Sequence, residues 1–421
     1  MQKKRILFLC DASDTEIVDK SFAWQNEFEP HIETFERILD YGMATYLQRS
    51  IELILKNPEM YQGIVGTHDS SSILASILAE QTNHVGTPVQ SVVNTQNKYL
   101  CRRIQQQLVP EHTPKFCLAL DYLQNSSLLR EPFFIKPVRS NISFGAHQVN
   151  SAEELQFYIG QESRDIARYN QYYLDALGLF IEYQNPLNLE TCNNFLCEEL
   201  IYGDQVTVDG FIYQGQVHIF GLTKACYYPG TNSFSHHVFP YSFSPKLDAK
   251  INDTLRRLIP ALGMNNTFFN VELRAEPEKN TFKIVEVNSR IAFQFAKTIQ
   301  TVRKFDPLHL LCELAVNRFP RLENRTKESF SYCYNFEMHS FSDQRILRTP
   351  TQSGYTQIQM LYPEVHIRNL IQEHSNLSDY KHNPQSFRYC ILDVPGNSEE
   401  EIMRKKEHIV SLLNYEFQEV S

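Results

Sequence analysis

Two short stretches decide how this chain folds: residues 270–274, Asn-Val-Glu-Leu-Arg, and residues 284–290, Ile-Val-Glu-Val-Asn-Ser-Arg. Each alternates apolar and polar side chains, which is typical of a β-strand with one buried face. A Pro-Glu-Lys-Asn turn lies between them, so they are predicted to be adjacent strands of a hairpin. A glutamate interrupts the apolar positions of each strand, Glu272 in the first and Glu286 in the second. Asn288 shares a face with Glu286, because side chains alternate with a period of two.

These acidic side chains need partners, because burying bare charge is costly. Two carboxylates and an amide are hard oxygen ligands that suit Mg²⁺, especially when substrate phosphates complete the coordination. The alternative is a ladder of salt bridges in which Arg274, Arg290 or a lysine neutralises the acids. Spacing alone leaves both interpretations open.

The first hundred residues alternate strand and helix patterns. Ile6–Cys10 and residues 64–67 are short apolar runs typical of buried parallel strands. Apolar residues at helical spacing predict one long amphipathic helix over 35–54 and another over 73–78. This order predicts an open parallel sheet. The segment has no Gly-x-Gly-x-x-Gly motif, so dinucleotide binding has no support.

The second half of the chain has strands that alternate more regularly and are joined by Asn, Gly and Pro turns, which indicates antiparallel sheet. The segment 319–329 is charged and lacks apolar periodicity, so it is the predicted linker. Beyond it, residues 330–421 are predicted to form a small α+β domain that ends with a helix over 398–413.

Composition limits the class of protein. The 421 residues are 42% hydrophobic and 21% charged, enough for about three folded domains at roughly 150 residues each. The 40 basic and 49 acidic residues give a net charge of −9, which disfavours nucleic-acid binding. No apolar stretch reaches the roughly 20 residues of a membrane span. The nine cysteines form no Cys-x-x-Cys pair, which disfavours zinc ribbons and thioredoxin-type motifs. A cytoplasmic protein is expected.

Lysines near predicted strand and helix ends are candidate anion ligands. Lys136 ends the apolar strand 133–137, just before a turn with several hydroxyls, although a lysine at the rim of a sheet would have the same pattern. Lys98 lies at the start of a predicted helix that also contains Arg102. For both residues, a solvated helix face is the alternative. His236 and its neighbour His237 point to opposite faces of a strand, so a shared metal is disfavoured.

In this order, the segments resemble the ATP-grasp superfamily, in particular its carboxylate–amine ligase branch, which includes L-amino-acid ligases and is related to biotin carboxylase. The resemblance covers residues 4–320. It implies an α/β and α+β fold with a Rossmann-like pre-ATP-grasp domain at 1–95 and a two-lobed ATP-grasp domain at 96–320. Within the second domain, a lid subdomain spans about 137–194. The small C-terminal domain at 330–421 completes the expected fold.

The resemblance also implies site residues. ATP and Mg²⁺ are the implied cofactors, with two metal ions, and Mn²⁺ as a possible substitute. The metal ligands carried over are Glu272, Glu286 and Asn288, with Glu286 bridging the ions. The implied catalytic residues are Arg290, which would face the substrate carboxyl and the transferred phosphate, and Lys224. The implied nucleotide-binding residues are Lys98, Lys136, Ser143, Gly145, Glu198, Glu199, Ile201 and Gln205.

Three positions depart from the family pattern. The phosphate loop of the family is rich in glycine and serine, whereas residues 140–145 contain one glycine. Gln205 stands where the family often has a ribose-binding glutamate. Ser289 replaces the proline of the usual Glu-x-Asn-Pro-Arg motif. No implied metal ligand is lost.

The activity implied by the resemblance is amide-bond formation between a small-molecule carboxylate and an amine, through an acylphosphate, with release of ADP and phosphate. Amino-acid-like substrates are expected, nucleic acid and membranes are not expected partners, and a homodimer is compatible with the sequence. The substrate pocket is expected around 224–237 and 290–295, where aromatic residues are frequent. Two alternatives stay open, a bicarbonate-activating enzyme similar to biotin carboxylase and a non-catalytic ATP-binding module.

Overall fold

The computed structural model describes residues 3–15, 18, 27–140, 144–322, 330–380 and 386–420. Its N-terminal part is a parallel sheet with strand order β2–β1–β3, packed against helices, which confirms the predicted architecture. The elements in chain order are β1 (Lys4–Cys10), β2 (Phe28–Thr34), α1 (Phe35–Tyr41), α2 (Met43–Lys56), β3 (Gly63–Gly66), α3 (Asp69–Gln81) and α4 (Val89–Gln96).

This part differs from the sequence prediction in two places. The single helix predicted over 35–54 is wrong, because Gly42 divides it into α1 and α2. Gly42 has φ +81° and ψ 120°, a conformation that residues with a side chain rarely adopt, so the helix cannot continue through it. Strand β2 has no signal in the sequence. It is an edge strand that contains Pro30, and its side chains are mostly half-exposed.

The second part is a four-stranded antiparallel sheet with strand order β4–β7–β5–β6. Its elements, with the helix that leads into it, are α5 (Lys98–Leu108), β4 (Phe116–Leu118), α6 (Ala119–Gln124), β5 (Phe133–Pro137), β6 (His147–Val149), α7 (Ala152–Gly178), α8 (Pro186–Thr191) and β7 (Phe195–Glu199). Ser151 caps α7 by accepting a hydrogen bond from the Glu154 amide. The C-terminal half of α7 packs Tyr173 and Leu177 into the N-terminal core, so the predicted lid segment is anchored there.

The third part is built on an eight-stranded sheet with strand order β12–β11–β8–β9–β10–β13–β16–β15. Its first elements are β8 (Asp204–Tyr213), β9 (Gln216–Tyr227), β10 (Phe234–Tyr241), α9 (Pro245–Ala261), β11 (Thr267–Glu276), β12 (Thr281–Asn288), α10 (Ala296–Arg303) and α11 (Pro307–Ala315). The hairpin predicted from the two deciding stretches is therefore confirmed as β11 and β12. Asn280 completes its turn in the left-handed conformation, with φ +50°.

The remaining elements are β13 (Tyr332–Ser340), β14 (Gln344–Arg348), α12 (Gln352–Leu361), β15 (His366–Asn369), β16 (Phe387–Gly396), α13 (Glu399–Leu413) and β17 (Glu416–Glu419). Strands β13, β15 and β16 extend the large sheet instead of forming a separate one. Part of the predicted linker, 323–329, lies outside the described residues. Among the helices of the described chain, none has the length and apolarity that crossing a membrane would require.

The two faces of the large sheet differ in the part that carries Glu272. One face is apolar and packs against α9, through Val206, Val208 and Val271. The other carries polar side chains around Glu272, which pairs in register with Thr207 on β8 and with Glu286 on β12. Further along the same face, Phe211 and Phe268 belong to a second apolar core. The candidate site is therefore expected on this second face.

A matched pair of glycine substitutions tests the helix break. Gly42→Ala should lower the free energy of unfolding by about 1 to 2 kcal/mol, because alanine is strained at this φ. Gly160→Ala, inside α7 with open space around the added carbon, should raise it by up to about 1 kcal/mol. Urea titration followed by circular dichroism measures both. A destabilisation by Gly160→Ala equal to that of Gly42→Ala would contradict the explanation.

Candidate active site

Two carboxylates face each other across the hairpin. Glu272 and Glu286 are direct partners in the register, and Asn270 is the partner of Asn288 in the same ladder. Burial, and then the neighbouring charge of Glu286, raises the pKa of Glu272 to about 7. Within the described residues, Glu272 forms no ion pair. It accepts only one long hydrogen bond, 3.4 Å, from Gln205 Nε2.

The salt-bridge ladder, which the sequence left open as the alternative to a metal site, does not form at Glu272. Arg274 donates instead to the Gly203 carbonyl and to Gln205, and Arg290 pairs elsewhere. Two acids on one face, with one of them lacking a cationic partner, form a set of oxygen donors that fits a divalent cation. Lys98 pairs with Glu286 Oε1, and the other oxygen of Glu286 has no cationic partner among the residues that the structure describes.

The two predicted nucleotide lysines converge on β12. Lys98 Nζ lies 3.1 Å from Glu286 Oε1 and donates to the Ser140 carbonyl at 2.9 Å. Lys136 Nζ donates to the Val285 carbonyl at 3.2 Å. Both lysines are buried, so neither the rim lysine nor the solvated helix face that the sequence left open is correct.

A buried ion triad holds Lys136 in place. The Glu198 carboxylate lies 2.8 Å from Lys136 Nζ and accepts a hydrogen bond from Arg102 Nε at 2.5 Å. Burial acts to raise the pKa of Glu198, but Arg102 and Lys136 overcome it and hold that pKa at about 2. Burial also lowers the pKa of Lys136, against the opposing effect of Glu198. Both carboxylate oxygens of Glu198 contact cations, so the role of this side chain is to hold Lys136 in position.

Arg102 is a residue that sequence reasoning missed. The sequence suggests a solvated helix face, but the guanidinium is buried and donates to Glu198, to Gln105 Oε1 and to the Val285 carbonyl. A signal was present, since Arg102 lies beside the apolar Cys101 on the face of α5 that also carries Lys98. The neighbouring Arg103 is exposed, as a solvated residue would be.

The other predicted nucleotide residues lie around this cluster. Gln205 accepts hydrogen bonds from the Tyr227 hydroxyl at 2.5 Å and from Arg274 at 3.2 Å. Glu199, half-exposed, accepts from the Lys115 amide at 3.0 Å, and Ile201 follows the end of β7. The roles of these residues, and of the β7 backbone, stay predictions.

The predicted phosphate loop is only partly described. Ser143 lies outside the described residues. Gly145 has φ +71° and packs so tightly against the Pro137 ring that a side-chain carbon would approach it to 2.7 Å. At the stem of the loop, Arg139 is buried against the ring of Tyr173 and donates to Gln96 and Asn170. The single glycine of the loop therefore occupies a position that requires it.

Arg290 is paired with a residue of the N-terminal part. Its Nε and Nη2 atoms donate to the two carboxylate oxygens of Asp69, at 2.7 and 2.8 Å. Burial acts to raise the pKa of Asp69, but Arg290 outweighs it, so the pKa lies at about 2. Asp69 begins α3 directly after β3, and the carboxyl ends of parallel strands are where such sheets place ligands. Sequence reasoning missed this residue.

Lys224 is not brought to the acidic face. It is the partner of Val206, whereas the adjacent Thr207 is the partner of Glu272, so the two side chains project from opposite faces. Its ammonium donates to Asp204 at 2.8 Å and lies 5.0 Å from the Tyr241 ring. The structure thus separates the predicted catalytic lysine from the other site residues.

The two adjacent histidines have separate surroundings, as the sequence predicts. The His236 ring stacks on Tyr334. His237 lies under Phe295 and 3.7 Å from Glu337, and burial lowers its pKa to about 4. They therefore do not form a shared metal site.

One further acidic cluster has its own cations. Glu27, His309 and Glu313 approach one another closely. Arg321 donates to Glu313 at 2.7 Å and to Glu27 at 2.8 Å, and Arg318 also contacts Glu27. Two arginines therefore neutralise the two acids, and the cluster needs no metal ion.

The Glu198 carboxylate should make the fold sensitive to acid. A carboxylate whose pKa lies at about 2 in the folded chain and near 4.5 in the unfolded chain stabilises the fold above pH 4.5 and loses this contribution as the pH falls to 2. Glu198→Gln should therefore be less stable than wild type by about 3 kcal/mol at pH 7, and this difference should shrink at pH 3. Denaturant titrations at several pH values measure it. A difference that is the same at both pH values would contradict the triad.

Comparisons with known proteins agree with the fold described above. A family model described as an ATP-grasp domain matches residues 129–301, a segment that contains Lys136 and the strands β11 and β12. No curated protein matches the chain at a significant level.

Solved structures share the whole fold at low identity. The chain is similar to L-amino acid ligase from Bacillus licheniformis, with 16% identity and a TM-score of 0.72, over 99% of this chain and 100% of that one. Phosphoribosylglycinamide synthetase from Anaerococcus prevotii matches at 13% identity and a TM-score of 0.64, over 99% and 100%. Biotin carboxylase from Campylobacter jejuni, solved as a complex with β-γ-ATP, matches at 12% identity and a TM-score of 0.62, over 99% of this chain and 93% of that one. These findings confirm the resemblance at the level of the fold: residues 129–301 match an ATP-grasp domain, and the whole chain shares its fold with these solved structures.

Proposed function

We propose that the chain is an ATP-dependent carboxylate–amine ligase, which joins a small-molecule acid to an amine through an acylphosphate and releases ADP and phosphate. The observation that carries this proposal is the convergence of Lys98 and Lys136 on the strand that bears Glu286, opposite Glu272. Two buried cations beside two facing acids form a site for a metal–triphosphate complex.

The residues present fit the implied cofactors. Glu272, Glu286 and Asn288 would hold Mg²⁺. The metal supplies charge that neutralises the phosphate oxygens. Lys98 and Lys136 add two positive charges, and the Glu198–Arg102 pair fixes the position of Lys136. The ribose would lie at Gln205, the adenine along Glu198, Glu199 and Ile201, and the phosphates under the loop that contains Ser143 and Gly145.

Arg290 would hold the substrate carboxylate. Asp69 occupies the edge formed by Nε and Nη2, and Nη1 donates to the Ile291 carbonyl. Donor hydrogens remain on the edge between Nη1 and Nη2, since a guanidinium carries five N–H groups. This end-on edge can orient a carboxylate oxygen toward the γ-phosphorus. The attack forms an oxygen–phosphorus bond and releases ADP.

The second half of the reaction needs exclusion of water. An acylphosphate hydrolyses unless it is shielded, and the segment 137–194 would supply the cover. An amine then attacks the activated carbonyl, loses a proton and displaces phosphate. The amino-acid-like substrate would lie near the segment 224–237, where the Tyr227 and Phe234 rings pack on each other with centroids 5.0 Å apart.

Phosphate release with paired substrates tests the proposal. ADP and phosphate should form only when an amino acid or a related carboxylate is supplied with an amine, and a bicarbonate arm identifies a carboxylase-type reaction. Glu286→Gln should lower kcat by at least about a thousandfold, because the amide removes a negative charge from the proposed metal site. Glu278→Gln, the same change at an exposed position of the same hairpin, is the control. Wild-type turnover in Glu286→Gln would refute the site, and no substrate-dependent turnover in wild type would refute the function.

Arg290→Lys tests the role of the guanidinium. Lysine keeps the charge but lacks the planar fork, so it cannot hold Asp69 and a substrate carboxylate together. The variant should lose most of kcat, by about a hundredfold or more, while its affinity for ATP stays within about threefold of wild type. With ¹⁸O-labelled carboxylate, wild type should transfer one label into inorganic phosphate, as seen by ³¹P NMR. Label in AMP would mean an adenylate intermediate and would overturn the proposed reaction.

A further inference from the structure

Three amide and carboxylate side chains form a line across neighbouring strands. Asn270 on β11 lies between Asn288 on β12 and Asp209 on β8, and all three are partners in the sheet register. Asn270 Nδ2 donates to Asp209 Oδ1 at 2.8 Å. Asn288 Nδ2 donates to Asn270 Oδ1 at 3.4 Å. We call this line of hydrogen bonds the Asp209 relay.

The relay has one direction only. A carboxylate accepts hydrogen bonds, so Asp209 requires the NH₂ group of Asn270. Asn270 then has only its oxygen left for Asn288, which must in turn offer its own NH₂ group. The result is that Asn288 Oδ1 is directed away from the relay. Within the described part of the chain this oxygen accepts no hydrogen bond.

Asp209 has no evident role in stabilising the fold. It is 3% exposed, and its second oxygen, Oδ2, has no hydrogen-bond partner among the described residues. A buried carboxylate with a single hydrogen bond costs stability, and burial raises its pKa to about 7. In the observed geometry Oδ1 is the acceptor of the Asn270 NH₂ group, and any proton on Asp209 would lie on the unpartnered Oδ2.

We infer that Asp209 and Asn270 are positioning residues that fix the amide of Asn288 so that it presents oxygen, not nitrogen, to a divalent cation. The inference rests on the proposed function, because it takes Asn288 as a metal ligand. Hard cations bind carbonyl oxygen and not an amide NH₂ group. A flipped Asn288 would direct two N–H donors at the cation, so the orientation decides whether the residue can act as a ligand at all.

Metal binding measured without turnover tests the relay. Mn²⁺ is titrated into the protein, alone and with a non-hydrolysable ATP analogue, and free Mn²⁺ is followed by electron paramagnetic resonance. Asp209→Asn should weaken Mn²⁺ binding about tenfold, because an amide at 209 can donate and permits the reversed line. The same variant should be at least as stable as wild type, because a poorly paired buried charge is removed. If Asp209 only supported the fold, its substitution would lower stability and Mn²⁺ affinity together.

The exchanged pair is the decisive variant. In Asp209→Asn with Asn270→Asp, the carboxylate at 270 accepts from both neighbours, so Asn288 is again forced to present its oxygen. Mn²⁺ affinity should return to within about threefold of wild type. Thr223→Val is the control, because Thr223 is a buried residue of the same sheet face whose hydroxyl has no partner among the described residues.

The outcomes separate the relay from the proposed function. Unchanged Mn²⁺ affinity in Asp209→Asn, or no recovery in the exchanged pair, overturns the relay while leaving ATP- and substrate-dependent turnover of wild type intact. A wild type that binds no Mn²⁺ with the analogue overturns both.

Discussion

The contact between Glu272 and Glu286 is the constraint on which the rest of the site depends. Two acids face each other in the register of an antiparallel hairpin, where like charges destabilise the pair. Burial and the charge of Glu286 raise the pKa of Glu272 to about 7, and among the described residues Glu272 has one long hydrogen bond, from Gln205, and no ion pair. A site of this kind is stabilised by binding positive charge from outside the chain.

The cationic side chains around the two acids fall into two groups, according to whether their donors are already paired within the protein. Arg102 forms an ion pair with Glu198, and Asp69 occupies the side-on edge of Arg290. Lys98 and Lys136 also have acidic partners, but each projects its ammonium beside β12, where phosphates would lie. The N-terminal part thus contributes Asp69, the helix α5 contributes Lys98 and Arg102, and the large sheet contributes the acids. The site requires all three parts of the fold.

Much of the fold could be predicted from the sequence, because local patterns determine it. The alternation around Glu272 and Glu286 indicates both strands and their shared face, and Lys136 is marked by its place at the end of an apolar strand. The position of Lys224 could not be predicted in the same way. A bulge near Phe220 on β9 shifts the alternation, so that Leu222 and Lys224 project from the face that Val217 occupies before the bulge.

The ion-pair partners of the charged residues could not be predicted from local sequence patterns. Asp69 and Arg290 are 221 positions apart, and Arg102 and Glu198 are 96 apart, so only the folded chain brings them together. Gly42 carries a weak signal, because a lone glycine inside a helical pattern is usually tolerated. Charged residues on a helix face are usually solvated, and for this reason the pattern alone misassigned Arg102.

A crystal structure with Mn²⁺ and a non-hydrolysable ATP analogue tests the central claim most directly, because the anomalous signal of manganese locates the metal independently of any assumed role. The account predicts anomalous peaks between Glu272 and Glu286, with Asn288 as a ligand through its oxygen and with Lys98 and Lys136 on the phosphates. Manganese bound elsewhere, with Glu272 and Glu286 still facing each other unliganded, would contradict it.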